Sequence, residues 1–305
     1  MIQLLNIFYH PLYVYGIDKK SSFPRYRYLL TKNKLENFSN KILIREPKMI
    51  DVNDIYLAHQ KEYVDSFLSG NLSDSEKRKI GLQPWNEQII NRTKFIMGGS
   101  IEALNFAISQ NGIAANMAGG THHAHYSFGA GYCIFNDLAI CAIKCINNYS
   151  SINNVLIIDL DVHQGDGTAT ILEKYTNIFT FSMHCDSNFP LKKMVSDIDL
   201  PLRRGMEDNE YLKLLNEQFE ILSDVKSDII LFQAGVDTLY EDKLGHLSLT
   251  KEGLRKRNKI VLDFAKKRKS PIVVFMGGGY SSPIDSSVES FVDLFLQCSN
   301  YQNSF

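Results

Sequence analysis

Four short stretches of this 305-residue chain are apolar almost without interruption: 155–160 (VLIIDL), 178–183 (IFTFSM), 229–234 (IILFQA) and 272–276 (IVVFM). A strand with one wet face alternates apolar and polar residues, whereas a strand covered on both faces does not. These runs therefore read as central strands of a parallel sheet, with 4–8 and 41–44 as weaker candidates. Between them, 87–110, 137–147, 207–223, 251–269 and 287–298 carry apolar residues three and four apart, the helical period. Thr250, just before Lys251-Glu252, reads as a helix N-cap. Strands alternating with helices imply right-handed crossovers and a three-layer α/β/α fold with a mainly parallel central sheet. No repeat, low-complexity tract or long Pro/Gly/Ser linker divides the chain, so 1–305 is expected to form a single domain.

Lysine and arginine total 33 against 34 acids, a formal charge of -1. A nucleic-acid binder carries a basic excess, so no direct nucleic-acid binding is expected. No apolar run approaches the ~20 residues that span a bilayer. The start, Met1 to Leu5, lacks a basic region and a small-residue cleavage site, so no signal peptide is expected. Five cysteines without a CxxC fit reduced thiols and a cytoplasmic location. The basic stretch 266–269 (KKRK) reads as the solvated last turn of a helix.

In open α/β sheets, ligands bind beyond the carboxyl ends of the strands. Three apolar runs end there in polar residues: 159–167 (DLDVHQGDG), 233–237 (QAGVD) and 277–280 (GGGY). Residues two apart share a face of a strand, so Asp159, Asp161 and His163 are expected to aim the same way. Two of them can reach one cation while the third supports them. Asp237 at a neighbouring strand end supplies a third ligand, leaving a position open to water. A carboxylate at such a junction often only caps the next helix, as Asp166 could. Capping alone, however, leaves several acids crowded with no nearby Lys or Arg, which a cation resolves.

The loop 119–125 (GGTHHAH) sets two histidines in tandem after a glycine pair. An imidazole beside a cation-activated water is a general base, and it needs a carboxylate to fix its tautomer; Asp159 and Asp166 are available. His125 has no evident partner and reads as a rim residue. Gly277 to Gly279 lack the following Lys-Ser/Thr of a phosphate loop, and instead let backbone pass a buried site and present Tyr280 to a developing oxyanion.

These segments together resemble the zinc-dependent histone deacetylase superfamily, nearest its class IV branch and the bacterial deacetylase-like proteins. The matching stretches are 119–137, 159–168, 179–184, 233–250 and 277–280, with weaker matches at FYHPLY, SFPRYRYLL and around His59. The resemblance implies an arginase/deacetylase-like fold. It implies one Zn2+ held by Asp161, His163 and Asp237. It implies paired His122 and His123 oriented by Asp159 and Asp166, with His123 as general base and acid, and Tyr280 polarising the acyl carbonyl. Gly131, Tyr132, Cys133 and Phe189 match the acyl channel. Asp159, Asp161, His163, Ser182 and Met183 match a structural potassium site. The implied reaction is hydrolysis of Nε-acetyl-lysine, or longer acyl-lysine, on proteins such as histones, with an acyl-lysine protein or peptide as partner and no obligate protein partner. Segment 16–23 departs from the pattern and is expected to shape the entrance.

Three alternatives stand beside this one. Acetylpolyamines use the same chemistry and would require an acid at the channel mouth, for which Asp18, Glu62 and Asp186 are candidates. A two-metal ureohydrolase would require a second carboxylate two residues after Asp237, where Leu239 stands. A non-catalytic acyl-lysine binder would have lost a ligand, a histidine or the tyrosine, and none is missing. Cys133 lacks an adjoining histidine and reads as an inert thiol; Cys141 and Cys145, four apart, read as core.

Overall fold

Eight strands form one sheet: β1 (Leu5–Phe8), β2 (Ile42–Arg45), β3 (Ile113–Asn116), β4 (Val155–Asp159), β5 (Ile178–Cys185), β6 (Ile198–Leu202), β7 (Ile229–Gln233) and β8 (Ile272–Phe275). Their spatial order is β2-β1-β3-β8-β7-β4-β5-β6, and every neighbouring pair is parallel. This computed structural model describes residues 3–304; Met1 and Ile2, on which the signal-peptide expectation rested, and Phe305 lie outside it.

The uninterrupted apolar runs occupy the middle of the sheet. Every residue of β4, β7 and β8 is buried, as a strand covered on both faces requires. Each run continues one residue past its ladder into a buried turn, at Leu160, Ala234 and Met276. Two strands escape the apolar-run signal. β3 (IAAN) is buried but too short and alanine-rich to stand out. β6 (IDLPL) is an edge strand, half-exposed and holding Pro201 where a missing donor costs the ladder least.

Helices cover both faces. α1 (Leu12–Tyr15), α6 (Glu87–Gln110), α7 (Asp137–Asn148) and α8 (Asp166–Leu172) pack in sequence on one side. α2 (Tyr26–Leu35), α11 (Asp285–Tyr301), α10 (Lys251–Arg268) and α9 (Asp208–Leu222) form the row on the other. α3 (Val52–Ile55), α4 (Lys61–Leu68) and α5 (Asp74–Ile80) are short helices of the connection between β2 and α6. Thr250 caps α10, its hydroxyl accepting from the Gly253 amide at 3.1 Å. The basic stretch ends that helix: Lys269 takes the left-handed cap, and Arg268 donates to the Ser223 and Val225 carbonyls. All five cysteines are buried and unpaired. No helix among the described residues is long and apolar enough to cross a membrane.

The strand order gathers distant segments at one place. β3, β8, β7, β4 and β5 are consecutive neighbours and run the same way. Their carboxyl ends therefore bring segments 117–123, 276–280, 234–237, 160–166 and 186–190 to one edge, although these segments are scattered over most of the chain.

Candidate active site

The turn after β4 departs from the expected geometry. The strand stops at Asp159, so Asp161 and His163 are placed by side-chain-to-backbone turns rather than by strand alternation. Asp159 Oδ1 accepts from the Asp161 amide at 3.1 Å, and Asp161 Oδ1 from the His163 amide at 3.0 Å. The convergence survives: Asp161, His163 and Asp237 present one ligand atom each within 4.8 Å of one another. His163 Nδ1 lies 3.0 Å from Asp161 Oδ1 and 3.2 Å from Asp237 Oδ2.

These three residues fit a divalent cation. Asp237 Oδ1 accepts from the Val162 amide, but Oδ2 is buried with only the His163 ring nitrogen near it and no hydrogen bond of good geometry, although such atoms are normally satisfied. Burial and the neighbouring Asp161 charge push the Asp237 carboxyl well above the usual carboxylate range. A Cβ on Gly278 would sit 1.9 Å from that same Oδ2, so only glycine lets the backbone close over the carboxylates. Two buried acids and an imidazole, one oxygen left open, make a three-ligand oxygen–nitrogen set of the kind that leaves a fourth position free. Among the described residues no other group of three such side chains converges.

Two histidine–aspartate pairs flank this cluster. His122 Nδ1 is 2.7 Å from Asp159 Oδ2, and His123 Nδ1 is 2.6 Å from Asp166 Oδ1. Asp166 is the first residue of α8, and its carboxylate turns to histidines instead of capping the helix. Its other oxygen meets His125 Nε2 at 3.1 Å, while His125 Nδ1 meets Thr170 Oγ1 at 2.9 Å. His125 is thus buried and shares Asp166, not a rim residue. Burial pushes His122 down, but the charges of Asp159 and Asp161 outweigh it and lift the imidazole to about 9. His123 goes the other way: burial and then the His122 charge push it down to about 4 against the pull of Asp166.

The paired histidines are fixed from behind. Asp137, at the start of α7, accepts from the Gly120 and Thr121 amides and from the Ser100 and Thr121 hydroxyls. His59 accepts from the Asn136 amide through Nε2 at 2.8 Å and meets the His125 carbonyl through Nδ1.

Tyr280 is held by its backbone. Its amide donates to Asp242 Oδ2 at 2.6 Å, and the other oxygen of Asp242 takes the Leu244 and Gly245 amides. Its hydroxyl has no partner among the described residues and lines the cavity. Burial pushes the phenol well above its ordinary range, so it stays a neutral donor.

A cavity of about 310 Å³ joins these groups to solvent. Its mouth carries Phe189 and Leu244, 43% and 40% exposed, with Ser187 and His246. Gly131, Tyr132 and Cys133 form one wall and Phe189 the opposite one. Gly131 (φ +52°) approaches the His123 ring so closely that a Cβ would stand 2.7 Å from it. The Cys133 thiol is pushed far up by burial, in keeping with an inert group. Segment 16–23 ends on the cavity: Ser22 Oγ meets the Tyr132 hydroxyl at the surface, while Phe23 lines the inner end. Asp18, Glu62 and Asp186 do not line the cavity. Of the expected potassium residues, Ser182 is the ladder partner of Asp159, and Met183 is buried next to it in β5.

A family model described as the histone deacetylase domain matches residues 21–295. The chain belongs to the histone deacetylase family. It is 40% identical to an uncharacterized protein of Picosynechococcus sp., over 92% of this chain and 94% of that protein. It is 28% identical to histone deacetylase 2 of Arabidopsis thaliana, over 80% of this chain and 65% of that one. It is 28% identical to the acetoin utilization protein AcuC of Staphylococcus aureus, over 88% and 74%. The arginase/deacetylase-like α/β fold expected from the sequence is therefore the fold of this deacetylase-family chain.

Three buried residues of this family member carry the site without a legible signal. Arg257 of α10, fully buried, donates to the Leu160, Ala234 and Gly235 carbonyls and so ties the turn before Asp161 to the turn before Asp237. Arg27 donates to the Gly277 and Gly279 carbonyls at 2.8 Å and shapes the loop that bears Tyr280. Gln233 donates to Asp161 Oδ2 and the Gly120 carbonyl, joining the acidic cluster to the histidine loop. The arginines sit in charged or aromatic stretches that read as surface, and Gln233 is visible only as part of its motif.

Proposed function

We propose that this protein is a Zn2+-dependent deacylase that hydrolyses the amide of Nε-acyl-lysine on proteins or peptides. The observation that carries the reading is one cavity lined by Asp161 and His163 of the three-residue cluster, a neutral histidine and an unpartnered phenol. Asp161, His163 and Asp237 would hold the ion, which when bound supplies Lewis-acid activation of water and carbonyl. The remaining chemistry belongs to side chains. His123, neutral at working pH, takes the proton of the attacking water at Nε2, its tautomer fixed by Asp166. The Tyr280 hydroxyl donates to the oxygen that gains charge as the carbonyl becomes tetrahedral. A histidine of the pair then gives a proton to the leaving lysine amine. Asp159, Asp161, His163, Ser182 and Met183 form the accompanying potassium site in this reading.

The apolar mouth supports a lysine side chain over a polyamine. A polyamine would bring a second ammonium to the mouth, where no carboxylate lines the wall. A single ligand cluster supports one cation per chain rather than two.

A fluorogenic acyl-lysine peptide assay, with and without chelator, tests the reading. Turnover abolished by chelation and restored by one equivalent of Zn2+ supports it; chelator-resistant turnover refutes it. Tyr280→Phe is expected to retain the metal and lose about 10²–10³-fold in kcat, the worth of one oxyanion donor.

A further inference from the structure

The inner end of the cavity holds two cations that nothing neutralises. Arg27 and Arg92 are 2% and 4% exposed, and both line the cavity floor with Phe23, Tyr28 and Ile96. Among the described residues neither forms an ion pair with an acid; the forks of Arg25 and Arg257 are taken by carbonyls or a side-chain amide, and that of Arg27 by the glycine loop. Arg27 spends Nη1 and Nη2 on the glycine-loop carbonyls and leaves Nε buried without a partner. Arg92 spends only Nε, on the Tyr13 carbonyl at 3.2 Å. Among the described residues its two Nη groups reach no carbonyl or carboxylate; the Tyr28 hydroxyl stands beside the guanidinium, which is not sealed in, since the residue lines the cavity. Both guanidiniums lie over the ring of Phe23, at 5.2 Å and 5.6 Å, which fixes them side by side. Gly16 holds Arg92 in place from behind: a Cβ there would meet its side chain at 2.6 Å. Burial and the Arg27 charge push the Arg92 guanidinium down, against the pull of the Tyr28 hydroxyl.

A buried guanidinium with a free fork is built for a carboxylate, which it grips with two parallel bonds. A substrate lysine enters through the Phe189–Leu244 mouth acyl group first, so the acyl chain runs past Tyr280 toward this floor. Its methylenes would pass Phe23 and Ile96. We propose that the Arg92 fork, backed by the charge of Arg27, takes the far carboxylate of a short dicarboxylic acyl group, which makes succinyl- or glutaryl-lysine the preferred substrate class. Hydrolysis breaks the amide C–N bond, water provides the new C–O bond, and a dicarboxylate and a free lysine amine leave. The inference rests on the deacylase reading for its reaction, but the carboxylate site can be tested apart from it.

Two measurements decide it. In the first, kcat/KM is compared for acetyl-, butyryl-, succinyl- and glutaryl-lysine peptides, on the wild-type holoenzyme, Arg92→Met and Arg92→Lys. We expect succinyl or glutaryl to exceed the uncharged butyryl chain by about tenfold or more. We expect Arg92→Met to cut that ratio by about 10- to 100-fold, the range for a charge-assisted hydrogen bond, with Arg92→Lys recovering part of it. Butyryl preferred by the wild type, or an equal loss on all four peptides in Arg92→Met, overturns the proposal. In the second, glutarate and acetate are titrated calorimetrically into the wild type and into Arg92→Met of matching melting temperature. Glutarate bound at least tenfold more weakly by the variant supports the site even if no peptide is turned over, an outcome in which the deacylase reading alone fails. Equal glutarate binding by both proteins, or binding of acetate but not glutarate, overturns it.

Discussion

The two histidine–aspartate pairs are built alike and charged differently. His122–Asp159 and His123–Asp166 have nearly equal hydrogen bonds, 2.7 and 2.6 Å, and both histidines are buried. Yet one imidazole is lifted to about 9 and the other lowered to about 4. Each ring has one bonded carboxylate, so that bond alone does not make the difference. The surroundings do. His122 faces a second acid, Asp161, at 3.9 Å. His123 faces the charge of His122 across 4.1 Å between ring centres, and its own acid is divided with His125. A hydrogen bond orients a ring; the net charge around it decides which ring is a free base at neutral pH.

The most severe test removes one ring at a time. If only His123 is an available base, His123→Ala should lose about 10²–10⁴-fold in kcat with its metal content intact. His122→Ala should lose less, and the reverse ranking in steady-state assays would break the comparison. Next in size are the carboxylates. Asp166→Asn should cost about 10- to 100-fold by loosening the tautomer of His123, with the acyl-peptide KM little changed. Asp159→Asn should act mainly through His122, and its imidazole should then titrate lower. Third, the protonation difference itself is measurable by histidine NMR in chelator-stripped protein. His122 should keep its proton until the pH rises through about 9, whereas His123 should have lost its own once the pH rises through about 4. Coincident titrations near 6.5 would erase the distinction. The smallest effect belongs to His125→Phe, which keeps the stack on Phe128 and removes the bond to Asp166. A loss of about two- to tenfold in kcat is expected, the worth of one hydrogen bond.

How much of this could be read from residues alone varied with burial. The central strands announced themselves because burial on both faces demands unbroken apolar runs, while edge strand β6 and the short β3 carry no such demand. Helices of many turns, such as α6 and α10, had enough periods to be legible; α1 and α3, of four residues each, did not. The acids and histidines of the site were visible because strand ends collect such residues, whereas the pairing of His122 with Asp159 and of His123 with Asp166 was what the family resemblance implied. His125 read as a rim residue, because Asp166 was already taken as the partner of His123 and its second oxygen reaches His125 only in the folded loop.

Local sequence thus determined which segments form strands, which residue types stand at their ends, and what chemistry those types can perform, because backbone periodicity and side-chain chemistry are properties of neighbours along the chain. Only the tertiary structure decided that Arg27, Arg92 and Arg257 are interior, that Asp237 keeps one oxygen bare, and that His122 and His123 differ in charge. Each of these depends on burial and on the sum of distant charges, and packing sets both: no stretch of residues carries its own dielectric or its own neighbours in space.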